Sequence, residues 1–393
     1  MRTSRVLLLV TDLERGGTPL RLARLASGLR ERGLEVHVGC LARPGPVSRD
    51  LDAAGIPNFA CNACRVRDVG ALWRLTRHVR RIRPDVIHST LTHANVAARI
   101  VGLLCGIPVV TSTATIEVER KWHAWAERLT RALDSGHIVN SEAVADHVRR
   151  VFRYPRRQVF VIPPSIDLPG SRAAVGAGVA PPAAGVAPPG AGDSDRVVVR
   201  QQLGITSDEF AVLWAGRLDP VKRIDLVLEC AQRLRQEPFR FLIAGDGPER
   251  GQVDQALRRR EAGQLQWLGW RDDLAAVMSA ADLLLFPSRT EGVPNVILQA
   301  MAGGLPVVCS DIPTLRELSG DGRRLMLVSQ GDADSFMAAI HLLRDHPQRR
   351  REQSERARLW AAANLDPQRT IAETIRAYET VLAGRRRSPA AGG

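Results

Sequence analysis

The sequence predicts an α/β protein of two doubly wound, Rossmann-like domains facing across a cleft. Three observations carry this. Short apolar runs alternate with longer amphipathic stretches over most of the 393 residues, a Gly/Ala/Pro-rich segment interrupts the alternation near the middle, and the same rhythm then restarts. Strands that alternate with helices build a parallel sheet covered on both faces.

In the first half the predicted strands are Arg5–Val10, Glu35–Cys40, Asp85–His88, Pro108–Thr111, His137–Val139 and Gln158–Ile162. Helical periodicity fills Pro19–Arg32, Gly70–Ile82 and Leu91–Leu104. Ser141 reads as an N-cap with Glu142 in the first turn. The domain spans 1–168. Residues 169–196 carry no amphipathic period and read as a flexible linker. In the second domain, 197–365, the strands are Phe210–Ala215, Phe239–Ala244, Leu265–Leu268, Leu283–Phe286, Val307–Cys309 and Leu325–Val328. An amphipathic stretch follows over 366–383, and the arginine- and alanine-rich 384–393 reads as a disordered tail. Ligands of doubly wound sheets lie beyond the carboxyl ends of the strands, so the site is expected in the cleft between the domains.

Composition excludes several classes. With 45% apolar and 25% charged residues the chain is neither disordered nor fibrous. No apolar run reaches the ~18 residues of a membrane span. Val6–Val10 is too short for a signal-peptide core, so a cytoplasmic location is expected. The net charge of +13 is unevenly spread: residues 1–169 hold 26 Lys and Arg against 15 Asp and Glu, while the remainder is nearly balanced. A basic first half points to an anionic membrane surface or an acidic partner. Aromatics at 4% and the lack of a zinc-finger or RNA-recognition pattern argue against nucleic acid. Cys61 and Cys64 form one C-x2-C pair with no second pair, short of the four ligands of a structural zinc, so no metal is expected.

Three predicted strand ends carry candidate chemistry. The first strand leads into Gly16-Gly17 and a helix near Pro19, a plain tight turn or an anion cradle. The second domain's first strand leads into Gly216, Arg217 and Lys222. Only two of the 55 cations are lysine, so Lys222 suggests a need for a compact ammonium, which a diphosphate would meet. The third is Glu291-Gly292-Val293-Pro294-Asn295-Val296, with Gln299 on the same helical face as Asn295. Pro294 suits the first helical turn. Taken alone, Glu291 reads as a loop carboxylate. Asp272-Asp273 reads as the N-cap of an apolar helix.

AGRLDPVKRID, IAGDGPER, WLGWRDDLAAVMSAADLLLFPS and EGVPNVILQAMAGGLPVV, in that order, resemble the nucleotide-sugar domain of glycosyltransferase family 4, which has the GT-B fold. ERGGTPLRLARLASGLRERGLEVHV, RPDVIHSTLTHANVAARIVGLLCGIPVV and VNSEAVADHV resemble its acceptor domain. The resemblance implies a retaining transferase moving a sugar from a nucleoside-diphosphate sugar to an acceptor hydroxyl in bacterial glycan, polysaccharide or glycolipid assembly. By matching positions, Arg217 and Lys222 would hold the diphosphate, Glu291 the donor sugar, position 299 the ribose, and Gly16 and Gly17 would lie near phosphates and acceptor. His93, within THAN, would face the donor sugar; alone it reads as an ordinary helix-start histidine. The catalytic set is then Glu291, Lys222, Arg217 and His93. Donor binding falls to Gly16, Gly17, Gly216, Arg217, Lys222, Glu291, Pro294, Asn295, Val296 and Gln299, without a metal or other cofactor. The amphipathic stretch would pack back toward the first domain, as the family's final helix does.

The chain departs from the pattern at Gln299, where the family has glutamate, at Arg223, where it usually has glycine, and in PSID for NGID. The expected partners are a nucleotide sugar, a glycan or lipid-linked acceptor and an anionic membrane, with peripheral attachment to its inner face. A nucleotide-sugar epimerase of the same fold and a non-catalytic glycan binder are the alternatives.

Overall fold

The computed structural model describes residues 4–64, 68–116, 121–166, 193–259, 264–329 and 331–387, with backbone alone at 121, 193–194 and 385–387. These divide into two units. Unit one holds the described residues up to Pro164 and from Pro367 onward; unit two holds those from Ser165 to Asp366.

Unit one begins with β1 (Arg5–Val10), α1 (Gly17–Glu31), β2 (Glu35–Cys40), α2 (Pro46–Ala53) and β3 (Asn58–Ala60). It continues through α3 (Val69–Ile82), β4 (Val86–Thr90), α4 (Thr92–Cys105), β5 (Val109–Thr113) and α5 (Lys121–Thr130). Then come β6 (Gly136–Val139), α6 (Glu142–His147) and β7 (Val159–Val161). The seven strands form one parallel sheet in the order β3-β2-β1-β4-β5-β6-β7. β1 shows why these strands are apolar throughout: Val6, Leu8 and Val10 enter the core beneath α1 and α2, while Leu7 and Leu9 enter the core beneath α3 and α4. A strand covered on both faces has no polar side to offer.

Unit two runs through α7 (Asp193–Gln202), β8 (Phe210–Ala215), α8 (Ile224–Arg233), β9 (Phe239–Ala244), α9 (Arg250–Arg259) and β10 (Leu265–Gly269). α10 (Leu274–Ala280), β11 (Leu283–Phe286), α11 (Asn295–Gly303), β12 (Val307–Ser310), α12 (Pro313–Ser319) and β13 (Met326–Val328) follow. α13 (Ala333–Asp345) and α14 (Pro347–Asn364) complete it. Its six parallel strands are ordered β10-β9-β8-β11-β12-β13. β8 repeats the logic of β1, sending Ala211, Leu213 and Ala215 to one core and Phe210, Val212 and Trp214 to the other.

α15 (Pro367–Arg387) returns to unit one. Ile371 packs over α1 where Gly28 lacks a side chain; a Cβ there would stand 2.1 Å from Ile371 Cδ1. Tyr378 is fully buried in the same core.

Several expectations are corrected. Residues 193–196 are not linker: α7 starts at Asp193, and Arg196 anchors it through Asp282 at 2.6 Å. The rest of the expected linker, 169–192, lies outside the described residues. α15 continues past 383 to Arg387, and 388–393 of the expected tail lie outside the described residues. α1 begins at Gly17 rather than near Pro19. Pro294 is the N-cap of α11 and not in its first turn, with extended φ/ψ of −74° and 127°. Asp273 occupies the N-cap position of α10 without capping it, because Arg271 holds its carboxylate at 2.7 Å. β3 and α2, at 3 and 8 residues, are too short to show a period that the sequence could have marked.

Candidate functional site

In each sheet the chain reverses direction once, between β1 and β4 in unit one and between β8 and β11 in unit two. A reversal leaves the two following loops diverging, which opens a crevice at the carboxyl ends of the strands. Every candidate site residue lies on one of the four loops flanking these two points or on the helix that follows.

In unit two the loop after β8 is pinned from beneath. Gly216 turns it with φ +157°, and Gly216 N–H donates to Ala244 at 3.0 Å. The loop after β9 nests against it because Gly245 and Gly247 have no side chains: a Cβ would stand 1.8 Å from Gly216 O and 2.8 Å from Leu218 N. Leu218 N–H then donates to Asp246 O at 2.9 Å. The IAGDG motif is thus a packing device that fixes the backbone leading to a 3-10 turn over Pro220–Lys222. Arg223 closes that turn in the left-handed conformation, φ 54° and ψ 49°, which glycine adopts with less strain. The loop after β11 meets the turn where Arg289 N–H donates to Val221 O at 2.8 Å.

This junction brings Lys222 and Glu291 together. The ammonium donates to Glu291 Oε1, and both side chains are largely buried. Lys222 Nζ also lies 5.1 Å over the ring of Phe286. Thr314 Oγ1 donates to the Glu291 backbone carbonyl at 3.2 Å, fixing the loop that carries the carboxylate. Two loops separated by 69 residues therefore hold a partly desolvated ion pair directly ahead of α11. Asn295, Val296 and Gln299 are half-buried at the start of that helix, whose N-terminal amides and dipole favour negative charge. Arg217 is not gathered with Lys222 and Glu291: its side chain is 65% exposed and pairs with Asp219 at 3.3 Å.

In unit one Gly16 precedes α1 in extended conformation, and no side chain caps the helix. His93 lies in the first turn of α4. Its ring meets Trp122 and His123 of α5 edge-on, with centroids 5.2 and 5.5 Å away. Leu91, the residue that turns β4 into α4, has φ 75° and ψ 140°, a strained conformation for a leucine.

Beneath His93 lies a buried polar network that the sequence did not reveal. Arg99 is fully buried and donates to Asp134 at 2.8 Å, to Glu127 at 2.5 Å and to the hydroxyl of Tyr154 at 2.7 Å. Asn95 donates to the other oxygen of Glu127 at 3.0 Å and accepts from Ser89 at 2.9 Å. Burial pushes the Asp134 carboxyl up, but His137 and Arg99 beside it prevail and hold it below its ordinary value. Burial likewise raises the Tyr154 phenol. The network locks α5 against α4 and so sets the surroundings of His93. Its signals were polar residues at helix positions facing a core, which a single sequence does not pair.

Of the C-x2-C pair, Cys61 is buried, its thiol pushed up to about 11 by desolvation, while Cys64 is exposed. Among the described residues no three His, Cys, Asp or Glu side chains gather as they would around a metal ion.

Two Rossmann-like units, of seven and six parallel strands, define the class of proteins with the GT-B fold. Family descriptions agree: "Glycosyltransferase Family 4" matches residues 15–169 and "Glycosyl transferases group 1" matches 209–346. The chain belongs to glycosyltransferase family 4 and is a glycosyltransferase. It is similar to the UDP-Gal:alpha-D-GlcNAc-diphosphoundecaprenol alpha-1,3-galactosyltransferase of Escherichia coli, 25% identical over 75% of this chain and 76% of that one. It is also similar to the D-inositol 3-phosphate glycosyltransferase of Stackebrandtia nassauensis, 27% identical over 78% and 71%. The Anabaena protein HepE, crystallised with UDP, shares the GT-B fold with a TM-score of 0.78 and 21% identity over 96% of this chain and all of that one. The family assignment decides for a transferase over the epimerase and the non-catalytic binder.

Proposed function

We propose that this transferase takes a nucleoside-diphosphate sugar as donor and a glycan or lipid-linked sugar as acceptor, with retention at the anomeric carbon. The observation that carries the reading is the Lys222–Glu291 pair at the reversal point of unit two, directly ahead of α11. Without donor the two charges neutralise each other. An arriving diphosphate competes for the ammonium, and Glu291 is released toward the sugar hydroxyls. As the anomeric C–O bond breaks, negative charge grows on the leaving diphosphate, where Lys222 and the α11 amides stabilise it more than they stabilise the ground state. Arg217, exposed at the neighbouring loop, swings in from Asp219 to the same oxygens. By the family resemblance, Gly16, Gly17 and His93 are the sugar-handling candidates of unit one. This division of labour needs no metal.

The printed names of relatives support these classes: one acts on UDP-galactose and a diphosphoundecaprenol acceptor, and HepE was crystallised with UDP. A lipid-linked acceptor and the +11 charge of residues 1–169 support a place at the inner face of a membrane, in the cytoplasm. Among the described residues no helix is long and apolar enough to cross a membrane. The test is a panel of nucleotide sugars screened by thermal shift, since a bound ligand stabilises by mass action. One donor should raise Tm and release nucleoside diphosphate slowly in the presence of EDTA. No stabilisation by any member, or release that Lys222→Ala leaves unchanged, sinks the reading.

A further inference from the structure

We propose that the Thr113 hydroxyl, at the carboxyl end of β5, binds a hydroxyl of the acceptor sugar, and that buried His137 is the positioning residue that orients it. The proposal rests on the transferase reading above and concerns the side of the reaction that Lys222 and Glu291 do not serve. Thr111 and Thr113 are two apart on β5 and so share one face of the sheet, and His137 of β6 stands opposite Thr111. The imidazole lies along the strand between them. Its Nδ1 is 2.6 Å from Thr111 Oγ1 and its Nε2 is 3.0 Å from Thr113 Oγ1. Tyr154 stacks on the ring with centroids 4.3 Å apart, which holds it in this plane. The proton positions follow from the inner end. Asp134 is ionised and only accepts, so Thr111 gives it its single proton at 2.5 Å. Thr111 then accepts from Nδ1–H of His137, and Nε2 is left for Thr113. A line of polar groups thus runs from the buried Arg99–Asp134 pair to a hydroxyl at the end of a strand.

Thr111 and His137 are fully shielded from water, whereas Thr113 is half-buried. Burying polar side chains is costly where apolar ones of similar size would pack, and this line surfaces at the edge where doubly wound sheets bind ligands. The edge is tied to the candidate site on one side. Asn95, in the same turn of α4 as His93, donates to the Ser112 carbonyl at 3.2 Å, so Thr113 directly follows the residue that this helix holds. On the other side Asn140, just past β6, donates to the Ala114 carbonyl at 2.8 Å. Asn140 is 7% exposed, and its Oδ1 is buried without a hydrogen-bond partner among the described residues. A buried oxygen left unpaired beside Thr113 marks a place for a polar group that the chain does not supply. The chemistry of that group follows from the surroundings. A hydroxyl has one proton and two lone pairs, so the bond to Nε2 leaves Thr113 capacity for a further partner. Behind the ring two carboxylates, Glu127 and Asp134, face the single guanidinium of Arg99, a balance that does not attract an anion. A neutral sugar hydroxyl fits.

The test compares transfer to a sugar with binding of the donor product. With the donor that the thermal-shift panel selects, transfer is measured to a set of octyl glycosides, and the Kd of the free nucleoside diphosphate is measured by calorimetry. Thr113→Val keeps the shape and removes the hydroxyl; it should lower kcat/KM for the glycoside about tenfold, with the diphosphate Kd within about twofold of wild type. Thr113→Ser should recover most of the loss, which a packing role for the methyl group would not allow. His137→Phe keeps a ring against Tyr154 and should lower transfer in the same way; should it fail to fold, the Val and Ser pair at 113 decides. Thr115→Val, at an exposed threonine two residues on, should transfer as wild type does. Folded Thr113→Val that transfers normally, or that weakens the diphosphate as much as it weakens transfer, overturns the proposal. So does a Thr113→Ser variant that recovers nothing, or a wild type that hydrolyses its donor yet transfers to no glycoside. A wild type that binds no donor at all sinks the donor reading, and this proposal with it; the diphosphate Kd tells the two failures apart.

Discussion

Nδ1 of His88, at the centre of the first sheet, lies 2.7 Å from the hydroxyl of Tyr378 on α15, a contact across 290 positions of sequence. His88 Nε2 is buried with no hydrogen-bond partner among the described residues. Burial, with His137 nearby, pushes the imidazole down to about 4 from its ordinary 6.5. Below 6.5 the unfolded chain therefore takes up a proton that the folded chain refuses until about 4. Stability from this group is complete above that window and is lost as the pH falls through it, by up to about 3 kcal/mol. Urea denaturation of wild type and His88→Asn at neutral pH and at about pH 5 checks this: the acid loss should shrink in the variant. Tyr378→Phe should cost about 1–2 kcal/mol at neutral pH by leaving Nδ1 unpaired.

Lys222 and Glu291 are expected to fail in different ways. If Lys222 stabilises the leaving diphosphate as proposed, Lys222→Ala should lower kcat by about a hundred- to a thousandfold. Glu291→Gln keeps the shape, frees the ammonium, and should impair turnover with a smaller effect on nucleoside-diphosphate binding. Steady-state kinetics and calorimetry with the free diphosphate separate the two.

Gln299 offers one acceptor where a carboxylate would offer two. Gln299→Glu should tighten donor binding by about 1–2 kcal/mol if position 299 grips the ribose, through charge-assisted hydrogen bonds. Calorimetry reads the gain directly, and an unchanged Kd removes the ribose from this position.

Leu91 holds φ 75° between β4 and α4 while its side chain stays partly exposed, so little apolar burial offsets the strain. Backbone strain of this kind costs on the order of 1–3 kcal/mol. Leu91→Gly should therefore stabilise unit one, seen as a raised Tm. A fall in Tm would mean that the side chain contributes more packing than its exposure indicates.

The buried network around Arg99 makes the opposite prediction. Arg99→Met leaves Glu127 and Asp134 without the cation they share, and breaking such a buried pair costs about 3–5 kcal/mol. Denaturant melts read the loss, and since α5 is held through Glu127, the edge contact of His93 with Trp122 should loosen with it.

These residues also show what the sequence could and could not disclose. β1 and β8 were legible because a strand buried on both faces must be apolar along its length. Lys222 and Glu291 were legible as loop residues, yet their union depends on Gly245 and Gly247 admitting one loop beneath another, which spacing does not encode. Arg217 was grouped with Lys222 by proximity in sequence, whereas its side chain turns to Asp219. α7 began at the end of the expected linker, where Asp193-Ser194-Asp195-Arg196 already departs from glycine, alanine and proline.

The seat of Ile371 on Gly28 bears on how this protein is made. The strands of unit one leave the ribosome before unit two, but the helix that seals their sheet is translated only after all of unit two. During synthesis the α1 face must wait uncovered, with Gly28 and His88 open to solvent, until α15 arrives. A stalled or prematurely terminated chain would thus carry a properly started but unsealed domain, a natural target for chaperones and for proteolysis.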